Sequence, residues 1–96
     1  MGQPFYVYML KCSDGSYYIG HTDNLERRLF EHKEGVRQCY TYFRRPVELV
    51  FYEETYDRTY AIEFEYKIKH WSRKKKEALI EKNWQKISSL GKKKFD

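Results

Sequence analysis

One glutamate in this sequence lies where a carboxylate needs a partner. Residues 58–70 have helical periodicity, and at about 100° per residue their apolar arc contains Ala61, Phe64, Ile68 and Trp71. Glu65 falls inside that arc, where an unpaired carboxylate is strongly disfavoured. Its partner is either a Lys or Arg in a buried salt bridge or a hard cation, since Mg²⁺ is held by one or two carboxylates with water and phosphate. Position alone favours the salt bridge.

A second pair of polar side chains lies four residues apart on an earlier helical segment. Arg28 and His32 border Leu29, on the half of the helix that faces the predicted sheet. The planar guanidinium of Arg28 suits phosphate or transition-state charge, and His32 can position it or donate to a phosphate. The alternative puts both at the solvent margin, with Glu31 pairing Arg27 or another base. Taken alone, these residues slightly favour that alternative.

Two tyrosines contribute hydroxyl groups from a predicted β-hairpin. Tyr8 lies in the first strand and Tyr18 in the second, and a tyrosine hydroxyl can act as general acid or base or hold a water. The common alternative is a core or cross-strand tyrosine whose hydroxyl is hydrogen-bonded. Gly20 lies inside the second strand, and a glycine there marks a bulge or a close backbone approach.

The strands that carry these tyrosines indicate an α+β domain spanning residues 1–96, in the order β-β-α-β-α-α. Residues 4–12 and 17–21 are rich in β-branched and aromatic residues and predict the hairpin, and residues 47–54 predict a third strand. We therefore expect a small three-stranded antiparallel sheet flanked by helices.

The hairpin loop decides whether Tyr8 and Tyr18 can act together. A two-residue turn at residues 14–15, which propensity favours, points them to opposite faces of the sheet. A three-residue loop at residues 14–16, which pairs Tyr8 with Thr22, or a one-residue bulge puts them on one face. Shared chemistry requires the second arrangement. We predict an odd loop or a bulge, with both hydroxyls converging on a cleft shared with the arginine and the glutamate.

The first helix is predicted from its ends. Thr22 and Asp23 can cap it, and Asp23 with Glu26 has the spacing of a capping box. The helix runs to about Glu34 and stops at Gly35.

The later helices are predicted in the same way. Asp57 caps a helix over about residues 58–70, and Ser72 caps a third. A short tail helix follows from Asn83 to Leu90, and residues 91–96 form a frayed tail.

Composition restricts the partners. The 96 residues include 19 Lys and Arg against 14 Asp and Glu, and the net charge of +5 favours a polyanionic partner. No stretch approaches the roughly 20 apolar residues of a membrane span, and no secretory signal is evident, so we expect a cytoplasmic protein. Cys12 and Cys39 are expected to be free thiols. No Gly-rich phosphate loop, zinc-ligand spacing or serine-hydrolase motif is present.

Taken in order, these residues resemble the motifs of the GIY-YIG nuclease superfamily. Tyr6-Val7-Tyr8 is similar to the first motif, with Tyr6 in place of its glycine, and Tyr18-Ile19-Gly20 matches the second. Arg28 and His32 have the offsets of the family helix, and Ala61–Glu65 is similar to the A-x-x-x-E of its metal-binding helix. The resemblance covers about residues 4–85. The segments that resemble the small stand-alone bacterial branch are residues 45–50, 68–71 and 79–84.

The resemblance implies an endonuclease that hydrolyses phosphodiester bonds in DNA with low sequence specificity, acting in DNA repair or recombination. It implies Tyr8 as general base or as the group that orients the attacking water, and Tyr18 as support for that water or the phosphate. Arg28 would stabilise charge on the scissile phosphate and His32 would assist by hydrogen bonding. Glu65 would ligate one Mg²⁺ or Mn²⁺.

We expect no target-recognition domain, which leaves substrate choice open. A nucleic-acid-binding module with little or no cleavage is the alternative, and a protein partner can supply specificity. A protein-interaction domain of the same fold is disfavoured because all five polar residues are retained. The residues expected to contact nucleic acid are Arg27, Lys33, Arg37, Arg44 and Arg45, and more weakly the run Arg73 to Lys76.

Overall fold

Three antiparallel strands form the sheet. The structure, a computed structural model, describes residues 2–36 and 39–89, with the last eight as backbone only. The strands are β1 (Phe5–Lys11), β2 (Tyr17–Thr22) and β3 (Glu48–Thr55), in the spatial order β2-β1-β3. The predicted α+β fold is confirmed. The predictions for Arg37 and for the tail at residues 91–96 lie outside the described residues.

The register of the hairpin puts Tyr8 and Tyr18 on one face. Tyr8 lies opposite Gly20 and Tyr18 opposite Leu10, in a pairing that runs unbroken along β1 and β2. Because side chains alternate along a strand, all four residues point to the same side. The predicted odd loop is confirmed, whereas the two-residue turn that propensity favours is not formed.

The loop itself begins one residue earlier than predicted. It spans residues 13–15, and the Cys12 backbone N–H donates to the Ser16 carbonyl at 2.8 Å. The Asp14 carboxylate accepts from the Ser16 N–H at 3.0 Å, and Gly15 adopts φ +87°. This side-chain turn fixes Ser16 in the closing pair rather than in the loop, so Tyr8 pairs with Gly20 and not with Thr22.

The helices are α1 (Leu25–Glu34), α2 (Arg58–Lys69) and α3 (Arg73–Ser89), with a short 3₁₀ helix at Tyr42–Arg44. The predicted caps at Asp57 and Ser72 are confirmed, since their side chains accept from the N–H groups of Tyr60 and Lys75. The separate tail helix is wrong, because α3 continues through Asn83 as one helix. No Gly or Pro interrupts it, and asparagine inside a helix is only mildly unfavourable.

The cap of α1 is Asn24, and the prediction of Asp23 is wrong. The Thr22 hydroxyl accepts from the Asn24 N–H at 3.1 Å. This contact keeps Asp23 in the turn, so the helix begins one residue later than predicted. The Asn24 side chain then accepts from the Arg27 N–H at 3.0 Å. Glu26 therefore falls out of the capping-box position. The predicted end of α1 at Gly35 is confirmed, because the Gly35 backbone is left-handed at φ +69°.

Two apolar layers cover the two faces of the sheet. On one face Val7, Met9, Ile19 and Phe51 pack against Ala61 and Ile68 of α2. On the other face Tyr8, Leu10, Cys12 and Val47 pack with Tyr18 and with Leu25 and Leu29 of α1. The tyrosines thus face α1, whereas Glu65 belongs to the helix on the opposite face.

Cys12 and Cys39 are free thiols, as predicted. Within the described residues, the helices are too short or too polar to cross a membrane.

Candidate active site

Tyr8 lies at the centre of a buried polar cluster. Its side chain is 0% exposed, and its hydroxyl lies 2.9 Å from Nε2 of His32, which α1 supplies. The His32 ring is 6% exposed and also lies 5.1 Å from the Tyr18 ring, centroid to centroid. The alternative that puts Arg28 and His32 at the solvent margin is therefore wrong for His32, whereas its pairing of Glu31 with Arg27 is confirmed. Tyr8, Tyr18 and His32 form one contiguous group.

Gly20 makes room for the Tyr8 ring. A Cβ built on Gly20 would lie 2.7 Å from the Tyr8 hydroxyl oxygen and 2.9 Å from its Cζ. These distances are well inside van der Waals contact, and Tyr8 is enclosed on all sides. The close backbone approach suggested by a glycine inside this strand is confirmed.

Replacing Gly20 with alanine is expected to displace Tyr8 and to lower the free energy of unfolding by about 1–3 kcal/mol, the usual cost of overpacking. Urea unfolding followed by circular dichroism would measure the change. Gly2→Ala is the matched control, because no atom lies within 4 Å of the Cβ it would carry. A Gly20→Ala protein as stable as the control would show that Tyr8 moves without cost.

Burial determines the acid–base character of Tyr8. It raises the pKa of Tyr8 far above the ordinary value, the neighbouring Tyr18 raises it further, and the nearby Arg28 lowers it. Arg28 is also paired, since its Nε lies 3.2 Å from Glu31, which in turn contacts Arg27 at 3.8 Å. A stable phenolate is therefore disfavoured at Tyr8. Loss of the Tyr8 proton requires an adjacent acceptor, and Nε2 of His32 is in position.

Tyr18 connects this cluster to the surface. Its ring lies 6.2 Å from the Tyr8 ring and 6.0 Å from Tyr40, on which it stacks. Burial raises the pKa of Tyr18, and the nearby groups of Cys39 and Glu65 raise it further. Tyr18 is only partly buried, so its side chain is accessible from outside whereas Tyr8 lies behind it.

Glu65 is ionised and doubly paired. One oxygen pairs with Nδ1 of His21, and the other lies 2.9 Å from Nζ of Lys69. Burial raises the pKa of Glu65, but the hydrogen bonds and charges of Lys69 and His21 outweigh it, so the net shift is downward. The charge of Glu65 also raises the pKa of Tyr8 and of Tyr18, so the carboxylate acts on both tyrosines electrostatically. Glu65 does not point away into solvent.

The Glu65 carboxylate suits a hard cation that keeps most of its water. Within the described residues, no group of three or more His, Cys, Asp and Glu side chains is arranged to hold a metal. Mg²⁺ does not require such a cage, because one or two carboxylates with water and phosphate suffice. Glu65 is 13% exposed and already holds one cation, the half-exposed ammonium of Lys69. The donor set therefore fits a divalent ion that takes the place of that ammonium.

Three site residues escaped the sequence analysis. Lys69 is four residues from Glu65, and that spacing was a usable signal for a helical ion pair. His21 and Thr41 gave no such signal, because their contacts are tertiary. Thr41 is 1% exposed and lies 2.8 Å from Nδ1 of His32.

The predicted basic residues fall into two groups. Arg44 stacks over Tyr40 at 3.9 Å, and Tyr40 in turn stacks on Tyr18. Arg45 lies over Tyr42 at 5.0 Å, and Tyr42 contacts Phe43. We call residues 40 and 42–45 the aromatic strip. Within the same strip Phe43 is 82% exposed. The second group, Arg27 and Lys33, lies on α1. Of the later run, Arg73 is already engaged, with hydrogen bonds or ion pairs to Gly15 and Glu77.

Comparison with known proteins identifies the family of this chain. The GIY-YIG catalytic domain family matches residues 4–78. A UPF0213 protein of Bacillus pumilus is 47% identical over 76 residues, which cover 79% of this chain and 78% of the relative. The UPF0213 protein YazA of Bacillus subtilis is 43% identical over 76 residues, with coverage of 79% and 77%. These names state no reaction.

Two solution NMR structures share the fold. The UPF0213 protein from Bacillus halodurans has 35% identity and a TM-score of 0.58, covering 94% of this chain and 99% of that one. A protein from E. faecalis has 36% identity and a TM-score of 0.59, with coverage of 97% and 94%.

Proposed function

Because this chain belongs to the GIY-YIG family, we propose that it is a metal-dependent endonuclease that hydrolyses phosphodiester bonds in DNA with low sequence specificity. The observation that carries the proposal is the buried hydrogen bond from Tyr8 to His32. Arg28 and the ionised Glu65 act on Tyr8 electrostatically, Arg28 from the same helix as His32 and Glu65 from α2. A buried proton relay next to an arginine and a carboxylate suits hydrolysis of a phosphodiester. A place in DNA repair or recombination, in the cytoplasm, is part of this proposal.

Arg28 faces the phosphate in this mechanism. Its guanidinium binds the scissile phosphate and stabilises the charge that develops there. Tyr8 is enclosed in the free protein, so in this proposal Arg28 and the partly exposed Tyr18 move aside when substrate binds, and the Tyr8 oxygen then holds the attacking water. Tyr18, partly exposed beside it, supports that water or the phosphate.

In this mechanism Tyr8 passes a proton on and does not remain as a charged phenolate. As the water attacks phosphorus, it gives its proton to the Tyr8 oxygen, while Tyr8 gives its own proton to Nε2 of His32. The phenolate that burial disfavours need not accumulate, because the two transfers are coupled. A Mg²⁺ or Mn²⁺ ion bound by Glu65 would neutralise charge on the phosphate and the leaving oxygen.

One observation favours a second candidate, a nucleic-acid-binding module with little or no cleavage. Both oxygens of Glu65 are engaged, one by His21 and one by Lys69. If the ammonium of Lys69 is not displaced, no metal is held and nucleic acid is bound without reaction. A protein partner that supplies specificity is compatible with either candidate.

A substrate panel distinguishes the two candidates. Labelled flap, fork, nicked, single-stranded and duplex DNA, with RNA versions of each, are incubated with Mg²⁺, Mn²⁺ or EDTA. Metal-dependent cleavage of at least one substrate supports the endonuclease. Binding of the panel without cleavage in either metal supports the binding module.

Binding is expected to weaken steeply with salt. Each phosphate that a basic side chain neutralises contributes about −0.9 to the slope of log K against log salt on duplex DNA. Arg45→Gln should reduce the slope by about one unit. Fluorescence anisotropy over a salt series would measure it. Lys67→Gln is the control, since Lys67 is exposed on α2 and is not among the residues expected to contact nucleic acid, and equal slopes for both variants would contradict the role of Arg45.

A further inference from the structure

Thr41 holds the far side of the His32 ring. Its hydroxyl oxygen lies 2.8 Å from Nδ1 of His32, while Nε2 of the same ring lies 2.9 Å from the Tyr8 hydroxyl. Thr41 is 1% exposed, so water does not compete for this contact. The imidazole is therefore fixed at both nitrogens by hydroxyl groups, and its tautomer depends on which hydroxyl donates.

The chemistry of the two hydroxyls decides the direction. The phenol of Tyr8 is far more acidic than the aliphatic hydroxyl of Thr41 and is the better donor, so the Tyr8 O–H donates to Nε2. Nδ1 of the neutral His32 ring then carries the hydrogen and donates to Thr41. The Thr41 O–H in turn has the Cys39 sulfur within reach at 3.3 Å. In the reverse arrangement Nε2 carries the hydrogen and cannot accept the Tyr8 proton.

We infer that Thr41 is a positioning residue that holds His32 as the Nδ1–H tautomer, so that the Nε2 lone pair takes the Tyr8 proton. The hydroxyl oxygen of Thr41 accepts from Nδ1–H before the transfer and from the same N–H of the imidazolium after it. The proton thus moves without rearrangement of the far side of the ring. The tautomer is a property of the free protein, whereas its role in cleavage rests on the proposed function.

Nitrogen-15 NMR of the imidazoles tests the tautomer directly. At a pH where the rings are neutral, the parent is expected to show a protonated Nδ1 and an unprotonated Nε2 at His32, identified by the signals missing from His32→Gln. Thr41→Val, which keeps the shape and removes the oxygen, should lose this preference, and Thr41→Ser should keep it. A parent with protonated Nε2, or a valine variant with the parent's pattern, would overturn the inference.

Cleavage provides the second measurement. Thr41→Val should lower kcat by about tenfold or more with little change in KM, since the transfer to His32 is impaired and not the binding. Thr41→Ser should restore the parent's kcat. A valine variant that folds and cuts like the parent would overturn the positioning role. If the valine variant does not fold, the parent and serine spectra still decide the tautomer.

The two failures are distinguishable. If the parent cuts no substrate of the panel, the proposed function fails, and the NMR spectra alone decide whether Thr41 fixes His32. If the parent cuts but His32 has the opposite tautomer, the proposed function stands and the role of Thr41 falls.

Discussion

Glu65→Gln is expected to abolish cleavage while the protein still folds and binds DNA. The substitution keeps the volume of the side chain and removes the charge that would hold the cation. Loss of several kcal/mol of charge stabilisation corresponds to a fall in cleavage rate on the order of 10³-fold or more. Gel analysis of the best substrate, at fixed Mg²⁺ or Mn²⁺, would measure the rate.

Two further measurements separate the metal from the fold. Glu63→Gln is the matched control, because Glu63 lies two residues earlier on the same helix and is exposed. Glu65→Gln should bind DNA in EDTA with the parent's affinity, whereas Mn²⁺ should no longer stabilise the protein against heat as it does the parent. Parent-like cleavage by Glu65→Gln would exclude Glu65 as the cation ligand, even though the family assignment would stand.

The outline of the fold could be predicted because it depends on neighbours in sequence. Each strand ends within one residue of its expected limit, since β-propensity and the turn after Asp14 are local signals. The error at the start of α1 shows where such signals fail. Three consecutive residues, Thr22, Asp23 and Asn24, can all cap a helix, and the hydrogen bond from Asn24 to the Thr22 hydroxyl decides among them.

The candidate site could be predicted only in part. Periodicity identified Glu65, and its helical spacing from Lys69 would have identified one of its two partners. The other partner, His21, reaches Glu65 from the edge strand, a contact that no sequence pattern encodes. Thr41 is similarly hidden, because a threonine in a polar segment gives no sign that the chain folds back to bury it against α1.

Tyr8→Phe is expected to lower the cleavage rate by about 10²- to 10⁴-fold, the range of general acid–base catalysis. The substitution removes one oxygen, so the water loses its proton acceptor and Nε2 of His32 loses its donor. DNA affinity should not change, because Tyr8 is 0% exposed. Loss of the buried hydrogen bond to Nε2 of His32 should also reduce the free energy of unfolding by about 1–3 kcal/mol, which urea unfolding would measure. Tyr56→Phe, at an exposed position, is the control.

A double-mutant cycle shows whether the proton follows the proposed route. If Tyr8 passes its proton to His32, then Thr41→Val can slow cleavage only while the Tyr8 hydroxyl is present. In the Tyr8→Phe background, Thr41→Val should therefore have almost no further effect on the residual rate, and the two effects should be far from additive. Additive effects would mean that Thr41 and Tyr8 act independently, and the relay from water through Tyr8 to His32 would have to be abandoned.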